Sequence, residues 1–210
     1  MQMAIIGICG KMGSQIYEYY KDKFEIIGID IINHPIVKTY QNLNDIDEKI
    51  DVIVDFSSCD SYDILVDGIK KKIPLLSGTT GYKDEEIDKL YELAKENDSI
   101  FIWRANYAKG IDLFSKIINT CQKEFEILDF VEIHATTKKD APSGTAKVLA
   151  KQLAIPYEKI QSLRINMAPA IHEIIFSSDE ERVILRHEII NKRAFVIGFD
   201  DVLKEVLGVD

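Results

Sequence analysis

Short, nearly continuous apolar runs alternate with amphipathic stretches through the first half of the chain. MAIIGIC (3–9), FEIIGIDI (24–31), DVIVDFSS (51–58), IPLLSGTTGY (73–82) and SIFIW (99–103) have the length and apolar content of strands buried on both faces. Between them, Ile16, Tyr17 and Tyr20, then Tyr62, Leu65, Val66 and Ile69, then Ile87, Leu90, Tyr91 and Ala94 recur at helical spacing. Asp84 is the expected cap of the last of these helices, over 84–97. Repeated strand–helix alternation predicts an α/β fold with a Rossmann-like, doubly wound parallel sheet, whose ligands sit beyond the carboxyl ends of the strands. Only 34–49 is polar and weakly patterned.

The pattern changes after a helix expected from Ile111 to Gln122. Phe125, Ile127, Phe130, Val131 and Ile133 alternate as in a strand, and AKVLAKQLA (146–154) reads as a helix. SLRINM, HEIIFSS and EERVILRHEI then follow without intervening helices, which predicts a mostly antiparallel sheet in a second, smaller α+β domain. The last 19 residues return to helical spacing through Phe195, Val196, Phe199, Val202, Leu203 and Val206, as a helix expected to pack back on the first domain.

Composition narrows the partners. A net charge of −9 argues against nucleic acid, which is held by clustered Lys and Arg. No apolar run approaches the roughly 18 residues of a membrane span, and Met1 leads directly into the first strand, so a cytoplasmic protein is expected. Cys9, Cys59 and Cys121 are widely spaced beside apolar neighbours and read as buried, inert thiols, with no metal site expected.

The first strand runs into Gly7-x-x-Gly10-x-x-Gly13 and then a helix, the turn that lets a backbone approach a pyrophosphate at a helix N-terminus. Cys9 stands where the commonest dinucleotide fingerprint has its second glycine. Asp30 ends the second strand about 20 residues on, placed to accept from ribose hydroxyls. Ile31 follows it with no basic group to meet a 2′-phosphate, which favours NADH over NADPH, although Lys11 could reach a phosphate. Gly78, Thr79 and Thr80 should leave the same sheet edge as Gly7.

Between a strand and a helix stands EIHATTKKDAPSGTA, 132–146. Histidine titrates near neutrality and lysine is a cation able to donate a proton, so His134 and Lys138, four apart, suit protonation of a centre that receives a hydride. The Ser143-Gly144-Thr145 turn offers N–H and hydroxyl donors suited to a carboxylate, with Asp140 and Pro142 shaping the loop.

This stretch resembles the signature of the dihydrodipicolinate (4-hydroxy-tetrahydrodipicolinate) reductase family, Glu-x-His-His-x-x-Lys-x-Asp-Ala-Pro-Ser-Gly-Thr-Ala. The likeness extends to Gly7–Gly13, Asp55-Phe-Ser-Ser, Gly78-Thr-Thr-Gly81-Tyr82 and Ala105-Asn106-Tyr107, and more weakly to Leu163-Arg164 and His172-Glu173. The resemblance implies an NAD(P)H-dependent oxidoreductase of lysine biosynthesis, through diaminopimelate, that forms tetrahydrodipicolinate. It implies a dinucleotide-binding domain of residues 1–107 and 191–210, and a substrate-binding and oligomerisation domain of 108–190 that assembles a homotetramer. His134 would donate or accept a proton and Lys138 donate one, while Gly144 and Thr145 bind a substrate carboxylate. Gly7, Ile8, Cys9, Gly10, Lys11, Met12, Asp30, Gly78, Thr79, Thr80, Arg104, Ala105, Asn106 and Tyr107 would line the cofactor.

The chain departs from the family at Ala135, in place of the second histidine, and at Asn166 and Ala170, in place of glycines; Lys109 and Asp112 occupy a loop that usually carries small or amide residues. It is also shorter than the usual member. His172 and His187 read as strand-face or interface residues, and His34 as loop surface. Two alternatives stay open at this stage: an oxidoreductase of another small imino or keto acid, and a nucleotide-binding regulatory protein without turnover.

Overall fold

The computed structural model describes residues 1–125 and 127–209. Asp210, the end of the expected C-terminal helix, lies outside them. The chain divides into two compact units, Met1–Ala105 joined by the chain from Asp200 onward, and Asn106–Phe199.

The first unit runs β1 (Gln2–Ile6), α1 (Lys11–Tyr20), β2 (Glu25–Ile29), β3 (Thr39–Tyr40), β4 (Val52–Asp55), α2 (Tyr62–Lys70), β5 (Leu75–Ser77), α3 (Asp84–Glu96) and β6 (Phe101–Trp103). The sheet has the order β3-β2-β1-β4-β5-β6 and every pairing is parallel. Ile6 is in register with both Ile29 and Asp55, Asp55 with Ser77, and Ser77 with Trp103. The strands therefore end level, and the loops that start at Gly7, Asp30, Phe56, Gly78 and Arg104 leave one edge. Since β2 and β4 flank β1, that edge opens a crevice where the winding reverses.

Ala4, Ile6, Ile29, Ile53, Leu65, Ile69, Leu75, Leu90 and Phe101 are buried together, each large aliphatic contributing about 1.5–3 kcal/mol on burial. Two details differ from the sequence reading. The weakly patterned 34–49 region holds β3, a two-residue strand too short to show a period, and a 3-10 turn at Leu43–Asp45 that buries Leu43. Asp84 is the first residue of α3 rather than its cap; the Lys83 amide before it donates to the Glu86 carboxylate at 2.7 Å. The returning C-terminal chain is tied in by Tyr20, whose hydroxyl donates to Asp200 at 2.8 Å.

The second unit contains α4 (Lys109–Cys121), β7 (Ile127–His134), α5 (Gly144–Gln152), β8 (Gln161–Arg164), β9 (Ala170–Ser177), β10 (Arg182–Ile189) and the first turns of α6 (Arg193–Leu207). Its sheet has the order β10-β9-β7-β8. The β7–β9 and β9–β10 pairs are antiparallel, as the strand-like runs predict, whereas β7–β8 is parallel because α5 crosses between them. Side chains alternate across this sheet. Phe130, Ile174 and Phe176 face a core with Phe114, Ile118, Leu149 and Leu153, while Val131, Ile133, Ile175 and Ile184 lie on the opposite face.

Candidate active site

In the first unit a cleft of about 600 Å³ opens at the level strand edge, lined by Gly7, Cys9, Gly10, Lys11, Met12 and Asp30, all expected, and by Ile31, Ile32, Ser57, Ser58 and Asp60, which sequence reading did not assign. Gly7 has φ +78°, and a Cβ there would come within 2.7 Å of the Phe56 carbonyl, so the turn requires glycine. The Asp30 carboxylate accepts from the Cys9 amide at 3.0 Å and from the Ile32 amide at 3.1 Å. That grip ties the glycine turn to the loop after β2 and fixes the carboxylate at the cleft. Cys9 itself turns its thiol toward the Ile32 carbonyl; partial burial, then the nearby Asp30 charge, push that thiol up from its ordinary value. The expectation of three buried cysteines fails: Cys59 is exposed in the 3-10 turn that follows β4, and Cys9 and Cys121 are only half-buried.

Asp55, fully buried at the end of β4, organises the neighbouring loops. It accepts from the Ser57 amide and hydroxyl, from Ser61 Oγ at 3.4 Å and from Ser77 Oγ at 2.7 Å. The Ser57 amide also reaches Thr79 Oγ1 at 2.8 Å, and the Trp103 indole donates to the Thr79 carbonyl at 2.8 Å. The Gly78–Thr80 loop is thus tied to the turn after β4. Burial raises the Asp55 carboxyl above its ordinary range, against the pull of the Ser57, Ser77 and Thr79 donors.

The remaining cofactor candidates divide. The Arg104 amide donates to the Ser77 carbonyl at 3.0 Å, which places Arg104 and Ala105 at the same edge. Asn106 and Tyr107 fall in the second unit, where Asn106 donates to Thr145 Oγ1 at 3.2 Å and Tyr107 is buried edge-on against Phe199. The Ile8 side chain is also buried, so Ile8 and Tyr107 could offer a ligand only their backbone.

The second cluster is built by the register of the four-stranded sheet. Ser162, Glu132, His172 and His187 stand in one row, one per strand, on the helix-covered face, and Arg164 pairs with His134 in the next row. Glu132 and His134 are two residues apart and share that face. Glu132 is fully buried; both its oxygens accept from the Ser143 amide at 3.1 Å, and Oε1 also accepts from Arg164 Nη2 at 3.0 Å. Burial works to raise its carboxyl, but the Ser143 and Arg164 donors outweigh this and hold it below the ordinary range.

His134 Nδ1 lies 3.4 Å from Glu132 Oε2, close enough for attraction but without a hydrogen bond of good geometry. Burial, joined by the Lys138 and Arg164 charges, lowers its pKa against the opposing pull of Glu132. His172 sits edge-on to His134, with ring centroids 5.4 Å apart, and stacks on His187 at 6.4 Å. Burial, and then His134, push His172 down to about 3, so it is neutral near pH 7.

Lys138 Nζ reaches both Asp140 oxygens, at 2.7 and 3.0 Å, so Asp140 is the lysine's counter-ion as well as a loop-shaping residue. Ser143 caps α5 by accepting from the Ala146 amide at 3.2 Å, which leaves the Gly144 and Thr145 amides as first-turn donors with no acceptor within the helix. Glu132, His134 and His172 hold donor atoms within 4.8 Å of one another, a spacing that invites comparison with a metal site. Arg164 and Ser143 already occupy the Glu132 oxygens, and the guanidinium takes the place of a cation.

Sequence reading missed Glu132, Arg164 and His172 as members of this cluster. One signal was available: Glu132 and His134 share the strand parity of buried Phe130, so both had to point into the core.

Known proteins resemble the chain over nearly its whole length. Residues 1–107 match the family model for the N-terminus of dihydrodipicolinate reductase, and residues 110–208 match the model for its C-terminus. The 4-hydroxy-tetrahydrodipicolinate reductase of Rickettsia bellii is 33% identical over 94% of this chain and 86% of its own length. That of Caldanaerobacter subterraneus is 29% identical over 99% and 93%. Among solved structures, a dipicolinate-bound dihydrodipicolinate reductase from Paenisporosarcina superposes with a TM-score of 0.77 at 23% identity, covering 100% of this chain and 95% of the other. An aspartate dehydrogenase from Thermotoga maritima shares the fold at a TM-score of 0.64 and 16% identity, over 98% and 96%. With both family models matched across nearly its whole length, the chain belongs to the dihydrodipicolinate reductase family and is an oxidoreductase with a nicotinamide cofactor.

Proposed function

We propose that the chain reduces 4-hydroxy-tetrahydrodipicolinate to tetrahydrodipicolinate, with loss of water, in the diaminopimelate route to lysine. The carrying observation is that one loop brings together a buried imidazole of lowered basicity, a lysine with its counter-ion, and a helix N-terminus whose first amides have no acceptor within the helix. The Gly144 and Thr145 amides hold a substrate carboxylate, Lys138 delivers a proton, and His134 accepts or returns one at Nε2. The nicotinamide supplies the hydride. Gly7–Met12, Asp30, the Gly78–Thr80 loop and Arg104–Ala105 hold the cofactor.

The preferred cofactor is NADH. Asp30 presents a carboxylate to the ribose, Ile31 and Ile32 follow it, and Lys11 is the one basic side chain lining the cleft among the described residues. The chain works as a cytoplasmic homotetramer. The half-exposed Ile184 beside Ile175, and the half-exposed Leu163 beside Ile133, give the other sheet face two apolar patches suited to a subunit interface.

The test is NADH oxidation by purified protein supplied with the fresh condensation product of pyruvate and aspartate semialdehyde. Lys138→Ala should lower kcat/KM by roughly a thousand-fold, within the range of general acid catalysis. Equal slow rates for wild type and variant would overturn the assignment.

A further inference from the structure

Arg164 makes more contacts in the catalytic loop than any function assigned so far explains. It leaves the end of β8, and its guanidinium fans across three parts of the active-site segment. Nε donates to the Lys138 carbonyl at 3.2 Å, and Nη2 donates both to the Asp140 carbonyl and to Glu132 Oε1 at 3.0 Å. Nη1 closes on the carbonyl of Leu163, in its own strand, at 2.9 Å. A planar fork with five fixed donors can satisfy such a spread of acceptors; an ammonium cannot.

The acceptors are the consequential ones. The Lys138 carbonyl belongs to the proposed proton donor, and Asp140 is that lysine's counter-ion. Glu132 receives the Ser143 amide at the start of the carboxylate-binding turn and lies beside His134 Nδ1. One side chain therefore touches the supports of all three working parts. Loop residues 136, 137, 139 and 140 are exposed and add nothing to the core; Thr136, at the start of the loop, is tied to Asn166 Oδ1 at 2.9 Å, which leaves the stretch from Lys138 onward to Arg164.

We propose that Arg164 is a positioning residue of the reductase reaction: its guanidinium staples the loop from Lys138 to Ser143 against Glu132 and sets the geometry and charge around His134. This rests on the functional reading above. The groups facing His134 are Glu132 on its own strand, Lys138 and Asp140 in the loop, Arg164 from β8 and His172 from β9. Removing Arg164 deletes one of the cations that oppose protonation of His134 and leaves Glu132 less compensated. Both changes favour the protonated imidazole.

The experiment compares wild type, Arg164→Ala and Arg164→Lys for kcat, substrate KM, cofactor KM and the pH profile of kcat/KM. Arg164→Ala should lose about a hundred-fold in kcat/KM, the scale of a small misplacement of reacting groups. Its His134 ionisation should move to higher pH, its cofactor KM should stay near wild type, and low-millimolar guanidinium should restore part of the rate. Arg164→Lys keeps the charge and loses the fork, so the pH profile should stay in place while kcat remains low. Wild-type turnover separates the two readings, because its absence would refute the function rather than the staple. With wild type active, an unaltered Arg164→Ala overturns the proposal. So does a loss shared by cofactor affinity, with no shift in profile and no guanidinium rescue. If Arg164→Ala does not fold, Arg164→Lys decides alone, and wild-type kcat in it overturns the staple.

Discussion

Each unit buries one carboxylate near the end of a core strand, and the two are solvated in opposite ways. Asp55 in the first unit meets hydroxyls and a backbone amide, and burial raises its carboxyl. Glu132 in the second meets an amide and a guanidinium, and its carboxyl is held low. Neutral dipoles do not offset the loss of water around Asp55, whereas at Glu132 the Ser143 donors, reinforced by the Arg164 charge, outweigh it. The difference suits the two jobs. Under the proposed function, the nucleotide loop needs a rigid hub of hydrogen bonds, while the proton-handling loop needs a fixed charge beside its histidine.

The largest consequence is for the carboxylate-to-amide change at Glu132. Glu132→Gln keeps an acceptor for the Ser143 amide but leaves the half-buried Arg164 guanidinium without its carboxylate partner, a loss of about 1.5–3 kcal/mol. Hydrogen exchange in peptides from β7 and β8 should show that loss, with peptides from β1 and β4 unchanged. Adding Arg164→Met to Glu132→Gln should recover most of it, because the uncompensated charge goes too. A Glu132→Gln protein as protected as wild type would break the contrast.

The same two clusters show what the sequence could and could not disclose. The five apolar runs gave the parallel sheet, and the glycine turn with Asp30 located the cleft, because both are patterns local in sequence. His134, Lys138, Gly144 and Thr145 could be grouped as candidates for the same reason, lying within one stretch of chain. Arg164 and His172 could not, because strand register brings them there, pairing Arg164 with His134 and His172 with Glu132, 30 and 40 positions apart, without a local signature. Asn106 was assigned to the cofactor by its neighbours in the chain, and only the fold reveals that it bonds to Thr145.

A smaller effect separates the units by pH. His134, His172 and His187 are all shifted below the ordinary 6.5, with burial the first cause in each. The unfolded chain binds protons at these sites before the native state does, so their contribution to stability is complete above pH 6.5 and falls as pH drops below it. For His172, shifted to about 3, the loss is about 1.4 kcal/mol per pH unit, or roughly 2 kcal/mol by pH 5. His172→Phe keeps a ring against His134 and abolishes this titration, so its urea midpoint should depend less steeply on pH between 5 and 6.5 than that of wild type. Parallel pH dependences would show that His172 does not carry the acid sensitivity.

The smallest expected change is at the other carboxylate. Asp55 is raised above 3.8 in the folded state, so the native protein favours its protonated form, and stability is lost as pH rises from 3.8 through the folded value. That loss is the penalty for burying the charged carboxylate. Asp55→Asn removes it, and the amide can still accept from the Ser57 amide while donating to the Ser77 hydroxyl, which rotates to receive it. The variant should therefore stay within about 1 kcal/mol of wild type at pH 7, on the stabilised side, with cofactor affinity changed by less than about threefold. A loss as large as that of Glu132→Gln would mean that Asp55 is held as an anion by a cation it depends on, and the two carboxylates would then be alike.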